Sequence, residues 1–171
     1  MLLIVSFWLG YALLGTSLDV PGDALALDLF EIARSKDDKT IHYQVNLNTD
    51  NSIDLNDPIK IFWEIPNAKG VKTQSLTWIQ NKYAYGIKII SQESNSLSFH
   101  FVFYPDKIIE IRQNEEGTYQ AYTLCEDKPI LVENIFIQID GGTFWVPKVT
   151  FVKISGKNPD TQQETFEIIQ P

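Results

Sequence analysis

The 171-residue chain contains one cysteine and two histidines, and these shortages limit its chemistry. The lone Cys125 cannot form an intrachain disulfide, so packing must stabilise the fold, and we expect a buried, apolar thiol. His42 and His100 lack the short spacing of a zinc site, and we expect both to face solvent from strands. No Gly-x-Ser-x-Gly motif supports a nucleophilic serine. The sequence therefore predicts no cofactor and gives little support to an enzyme.

Basic residues are also scarce, and no Lys or Arg precedes Arg34. The chain has 14 Lys and Arg against 22 Asp and Glu, for a net charge of −8. Its basic residues form no cluster along the sequence, which argues against nucleic acid and against docking on anionic lipid. The negative charge favours solubility and names no partner.

The first 26 residues have the order of a secretory signal peptide. Residues 2–14 are almost continuously apolar, and a more polar stretch then ends in Ala24-Leu25-Ala26. We predict cleavage after residue 26, export to the periplasm or the extracellular space, and no membrane span after cleavage. The alternative is a retained, tilted N-terminal anchor, although the apolar run is shorter than the roughly 20 residues that cross a bilayer. Residues 27–171 are predicted to form a single β-rich domain.

Apolar and polar residues alternate through most of residues 27–171, which predicts strands. Residues 75–83 instead carry apolar side chains at spacings of three and four, with Ser75 as a candidate N-cap. We predict an all-β fold, an antiparallel sandwich or barrel of roughly nine to ten strands with one short helix near residues 75–83. Residues 67–73 are predicted to be a loop. The predicted strands are residues 27–34, 40–47, 58–65, 97–104, 108–112, 118–125, 130–140, 143–146, 149–155 and 165–169.

The alternation also predicts a core and two turns. Gly141-Gly142 is a two-residue hairpin signal, and Pro147 predicts a bulge or an edge position because it cannot donate a ladder hydrogen bond. A two-residue turn at Asp37-Asp38 would pair Ile32 with Tyr43 and Arg34 with Ile41. The residues expected to be buried together are Ile61, Trp63, Phe99, Phe101, Ile135, Ile137 and Phe151.

Aromatic residues and one arginine suggest a ligand site. Arg34 ends an apolar strand face, so it is either an anion anchor at a cavity mouth or a rim residue paired with Asp37. The 12% aromatic content fits a filled β core, or a mouth lined by rings with residues 78–86 as a lid hinged at Gly86. The candidate ligand-binding residues are Arg34, Tyr43, Trp63, Trp78, Tyr83 and Tyr85.

Residues 46–57 place oxygen-bearing side chains at spacings that resemble a calcium loop. The candidate metal ligands are Asn46, Asn48, Asp50, Asp54 and Asp57. An ordinary hairpin loop with local hydrogen bonds is the alternative, because the sharp-turn glycine is missing and strands flank the loop. Glu64, Glu110 and Glu133 are candidate carboxylates for glycan cleavage, although outward-facing charge is the simpler interpretation.

Four short elements resemble an uncharacterised bacterial family of domains of unknown function. They are the run Leu-Phe-Glu-Ile-Ala-Arg-Ser-Lys at residues 29–36, Tyr43, the Pro58…Phe62-Trp63 strand and Tyr83-Ala84-Tyr85-Gly86. The resemblance covers most of residues 28–170 and implies one exported or envelope-associated domain with no assigned activity. Asp37 stands where that family usually has Asn, so the resemblance implies no fixed chemical role for this loop.

Three functions agree with these observations. The first is a non-catalytic exported β-domain that binds a ligand or an envelope partner. The second is a lipocalin-like carrier of a small apolar ligand, and the third is an envelope hydrolase. The expected partners are a small apolar ligand, a glycan or an envelope protein, and not nucleic acid.

Overall fold

A computed structural model describes residues 25–143 and 146–170 of the chain. Residues 1–24 of the predicted signal segment lie outside this part, so the leader and its cleavage stay predictions. The first strand already contains Leu25 and Ala26, which pair with Leu47 and Asn46. Among the described residues, no helix has the length and the apolar character needed to cross a membrane.

The described residues form eleven strands and one short helix, which confirms the all-β prediction. The strands are β1 (Leu25–Arg34), β2 (Thr40–Leu47), β3 (Ile59–Asn67), β4 (Gly70–Ser75), β5 (Ile87–Glu93), β6 (Ser96–Phe101), β7 (Tyr104–Gln113), β8 (Tyr119–Cys125), β9 (Lys128–Gly142), β10 (Pro147–Lys157) and β11 (Glu164–Ile169), and the helix is α1 (Trp78–Tyr83).

The strands form one curled sheet, a half-barrel in the order β4-β3-β2-β1-β9-β8-β7-β6-β5, with the β10–β11 hairpin attached to β9. The sheet is mixed and not purely antiparallel, because residues 31–34 of β1 run parallel to residues 134–137 of β9. Strand β9 pairs with three other strands, β1, β8 and β10. Residues 128–131 of β9 pair with β8, while residues 131–142 pair with β10.

Two strands and the helix start differ from the sequence prediction. Residues 67–73, predicted as a loop, belong largely to the β3–β4 hairpin, and β5 was not predicted at all. Every residue of β4 is exposed, so no apolar face marks it, while β5 is irregular where its register shifts between Ile89 and Ser91. Helix α1 begins at Trp78 with Thr77 as its N-cap, and not with Ser75.

Most of the predicted core is confirmed. Trp63, Phe99, Phe101, Ile135 and Ile137 are buried, and Ile61 packs half-buried against them. Phe151 was predicted wrongly, because it contacts Phe136 on the other face, with ring centroids 6.3 Å apart. The register of β10 shifts between Val149 and Phe151, which reverses the alternation there.

The β1–β2 and β9–β10 turns also differ in detail from the sequence prediction. Ile32 pairs with Ile41 and not with Tyr43, because the β1–β2 turn is centred on Lys36-Asp37, one residue earlier than predicted. The β9–β10 turn lies after Gly142, which pairs with Pro147, and the register shift that follows confirms the predicted bulge. The predicted strand 143–146 lies partly outside the described residues, and Thr143 donates its backbone N–H to the carbonyl of Val146 across that turn.

Candidate functional site

A cavity of about 1140 Å³ lies within the half-barrel. One wall is made by β9 and β10, where Ile135, Ile137 and Ile139 pair with Ile154, Val152 and Val149 respectively. The bulge in β10 keeps this wall continuous, because it brings Val149 onto the same face as Val152 and Ile154. Phe101 and Phe103 add aromatic surface from the β6–β7 side. The interior of the cavity is therefore largely hydrocarbon.

Arg34 is held rigidly at the cavity wall. Its guanidinium lies 4.6 Å from the Trp63 ring centroid and donates from Nη1 to the Tyr85 hydroxyl at 2.9 Å. Nη2 donates to Asp37 at 2.6 Å. Burial alone would lower the pKa of Arg34, but Asp37 and Tyr85 outweigh it and the pKa is raised. The pairing with Asp37 agrees with the rim interpretation, and the arginine also lines the cavity, while its role as an anion anchor stays a prediction.

The helix α1 covers part of the cavity with exposed rings. Trp78 is 68% exposed and Tyr83 62% exposed, and both line the cavity. Thr77 caps the helix by accepting from the backbone N–H of Gln80, whose side chain accepts in return from the backbone N–H of Thr77. Gln80 also accepts from the Trp63 indole N–H at 3.3 Å, which ties the helix to the sheet.

Gly86 lies at the end of the predicted lid, residues 78–86, and packs closely against the helix. A Cβ at this position would lie 1.8 Å from the carbonyl oxygen of Asn81, so no larger residue fits without displacing backbone. The carbonyl of Gly86 also accepts from the backbone N–H of Val102 at 3.0 Å. Close approach explains the glycine here, and hinge motion at Gly86 stays a prediction.

Five of the six predicted ligand-binding residues line this one cavity, namely Arg34, Trp63, Trp78, Tyr83 and Tyr85. Tyr43 does not line it. That side chain is fully buried, stacks on Phe30 with centroids 4.7 Å apart and donates its hydroxyl to the Tyr85 carbonyl at 2.6 Å. Burial raises the pKa of Tyr43 well above its usual value. Its place is behind the cavity wall, where it supports Tyr85.

Sequence reasoning missed several lining residues. Lys36 and Lys39 line the cavity from the same turn as Arg34, and that proximity was a usable signal. For Lys107 and the side chains of β9 and β10 there was no local signal, because their place in the cavity lining depends on pairing between distant strands.

Several polar atoms of the predicted calcium loop, residues 46–57, form hydrogen bonds within the loop. The amide of Asn46 donates to the Asp57 carbonyl at 2.7 Å, and that of Asn48 donates to Ser52 at 2.9 Å. Asp50 and Asp54 accept from backbone N–H groups two residues ahead, at 3.0 and 2.9 Å. Within residues 25–143 and 146–170, no three His, Cys, Asp or Glu side chains are grouped to hold a metal ion. Calcium binding by this loop stays a prediction.

The histidines and candidate carboxylates lie outside the cavity lining. His42 Nε2 lies 3.3 Å from Glu64 and 3.6 Å from Glu31, and its ring stacks on Phe62. The His100 ring contacts the carbonyl of its neighbour in the chain.

The other singled-out residues have simple surroundings. Glu133 forms an ion pair with Lys157, and Glu110 is exposed on β7. Cys125 is buried and free as predicted, and burial raises the pKa of its thiol.

A family model described as "Domain of unknown function (DUF4833)" matches residues 30–168. The chain belongs to the DUF4833 family. The match confirms the resemblance to a domain family without assigned function, while a bacterial origin stays a prediction. No curated protein and no solved structure matches the chain significantly. The DUF4833 match runs from β1 to β11, so it includes nearly every residue that lines the cavity.

Proposed function

We propose that this domain binds a small molecule with a long apolar body and performs no chemistry on it. The observation that carries the proposal is the cavity of about 1140 Å³, which is slightly larger than the roughly 300–1,000 Å³ range of small-molecule sites. Its isoleucine and valine wall favours hydrocarbon, and four of its five charged residues come from Arg34 and the β1–β2 turn that follows it. A ligand carrier is thus favoured over a domain that binds only an envelope protein.

The proposed setting is outside the cytoplasm. The apolar run at residues 2–14 and the Ala24-Leu25-Ala26 sequence support export to the periplasm or the extracellular space. An exported binder of apolar molecules would shield such a ligand from water between membranes or surfaces.

A neutral fluorescent probe, N-phenyl-1-naphthylamine, tests the proposal. We expect saturable binding with increased probe emission, because the cavity removes an apolar probe from water. Val149→Trp fills the cavity wall and should weaken binding by about tenfold or more. The control Val71→Trp adds the same ring on exposed β4, outside the cavity lining, and should bind as the natural chain does.

The unfolding midpoint of each variant shows whether it has folded. If Val149→Trp does not fold, Ile139→Trp on the paired strand replaces it. Absence of saturable binding by the natural chain would overturn the proposal. Equal affinity in the cavity variant and the Val71 variant would overturn it as well.

A further inference from the structure

The charges around the cavity contrast with those of the whole chain. The chain carries a net charge of −8. The charged residues that line the cavity are four cations, Arg34, Lys36, Lys39 and Lys107, and one anion, Asp37. An acidic protein therefore presents a locally cationic cavity, which attracts anions and repels cations.

Two of these cations are already neutralised by ion pairs. Arg34 is paired with Asp37 at 2.6 Å, and Lys107 with Glu167 at 2.5 Å. Lys36 and Lys39 form no ion pair with any residue in the described ranges. The excess positive charge is thus concentrated on the β1–β2 turn, next to Arg34.

Other acidic groups near this turn leave the excess in place. Asp38 lies between the two lysines, but it is exposed and does not line the cavity. The carboxylate of Asp37 is directed to Arg34 through one oxygen, and its other oxygen is buried without a donor in the described part of the chain. The lysine ammonium groups are therefore available to a ligand.

Arg34 adds a preorganised hydrogen-bond donor at the same end. The guanidinium is fixed between Trp63, Tyr85 and Asp37, so little side-chain entropy is lost when it binds. Its Nη1 and Nη2 groups make the two bonds already described, and its Nε is buried with no acceptor among the described residues. A buried donor without a partner costs free energy that an anionic oxygen nearby would recover.

We propose that the ligand is an amphiphile with an anionic head group, held at the β1–β2 turn by Arg34, Lys36 and Lys39 while its hydrocarbon chain lies along the β9–β10 wall. This inference rests on the proposed function and specifies its ligand class. The head is a carboxylate or a phosphate, as on a free fatty acid or on a lipid-derived alkyl phosphate.

Displacement of N-phenyl-1-naphthylamine by ligands of one chain length tests this. Dodecanoate and dodecyl phosphate are compared with neutral dodecanol and cationic dodecylamine. We expect either anion to displace the probe at a concentration at least about tenfold lower than the alcohol, and the amine to be weakest. The preference should shrink as salt is raised, because the lysines are near the surface. Whichever anion binds more tightly identifies the source, a free fatty acid or a lipid-derived alkyl phosphate.

A charge-matched pair of variants localises the head group. Lys36→Gln/Lys39→Gln should lose several-fold in affinity for the anions and retain its affinity for dodecanol. Lys69→Gln/Lys72→Gln removes the same charge from exposed residues of the β3–β4 hairpin that do not line the cavity, and should change neither affinity.

The outcomes separate the two proposals. Probe binding without any preference for anions over dodecanol overturns the anionic head and leaves the apolar site. An anion preference that survives Lys36→Gln/Lys39→Gln, or is lost equally in the control, overturns its assignment to the β1–β2 turn. No probe binding by the natural chain overturns both proposals.

Discussion

Arg34 and Tyr43 lie on neighbouring strands but have different surroundings, because they occupy different positions on the sheet. Tyr43 sits within the core, opposite Phe30, and its hydroxyl is satisfied by the Tyr85 carbonyl. Arg34 ends its strand and lines the cavity, with its guanidinium over the Trp63 ring. Tyr85 joins the two residues, with its hydroxyl accepting from Arg34 and its carbonyl accepting from Tyr43.

Tyr43 should make stability depend on alkaline pH. Burial raises its pKa in the folded state, so its contribution is present below the unfolded pKa and is lost as pH rises toward the folded pKa. Above about pH 10, this one group should lower the free energy of unfolding by about 1.4 kcal/mol per pH unit. Tyr43→Phe should remove that slope, and urea unfolding at several pH values measures it.

The control for this prediction is Tyr83→Phe, an exposed ring that should keep the slope of the natural chain. At neutral pH, Tyr43→Phe should also lose about 1–3 kcal/mol, because the Tyr85 carbonyl loses its donor. Identical pH slopes in the natural chain and Tyr43→Phe would contradict the assignment.

At the scale of elements, α1 and the β10 bulge shape the site. The helix has no buried residue, so its caps and its contact with Trp63 matter more than its packing. The bulge determines which side chains of β10 face the cavity. Both features are local departures from the regular alternation of the sheet, and both concern residues that line the cavity.

Removal of the N-cap should loosen α1 with little effect on the sheet. Thr77→Ala should cost the helix about 1 kcal/mol, because the backbone N–H of Gln80 loses the Thr77 hydroxyl as its acceptor. Hydrogen exchange should accelerate at the amides of Asn81 and Ala84, whose helical bonds then open more often. Thr73→Ala on exposed β4 is the matched control. Unchanged exchange in α1 would show that the cap does not hold it.

At the scale of the molecule, the two sides of the half-barrel meet through aromatic rings. Phe101 of β6 contacts Phe30 of β1 and Tyr43 of β2 edge-on, with centroids 6.1 and 5.7 Å apart. These strands are far apart in the order of the sheet, so the contact exists only because the sheet curls. The same curvature encloses the cavity, which Phe101 also lines.

Truncation of this contact should destabilise the whole fold. Phe101 is 2% exposed, and Phe101→Ala should cost about 3–5 kcal/mol of unfolding free energy. Phe166→Ala removes a ring that is 56% exposed and should cost much less. Urea unfolding of both variants provides the comparison, and equal losses would mean that Phe101 does not join the two sides.

The sequence predicted strands well wherever one face is buried and the other is not. The alternation of apolar and polar residues correctly predicted β2 and β6. It did not predict the exposed strand β4, because β4 has no apolar face. Five of the six candidate ligand-binding residues proved to share a cavity, because aromatic rings and an arginine at strand ends are visible locally. The lysines and the aliphatic wall were missed, since a single strand does not reveal what faces it.

The sequence by itself determined the all-β class, most of the core and the family, because these depend on local alternation and on short motifs. The tertiary structure decided the parallel pairing of β1 with β9, the register of β10 and the cavity between them. The physical reason is that strand partners are chosen by hydrogen bonds and side-chain packing between distant segments. A one-residue bulge then reverses which side chains face inward, and that choice forms the wall of the proposed ligand site.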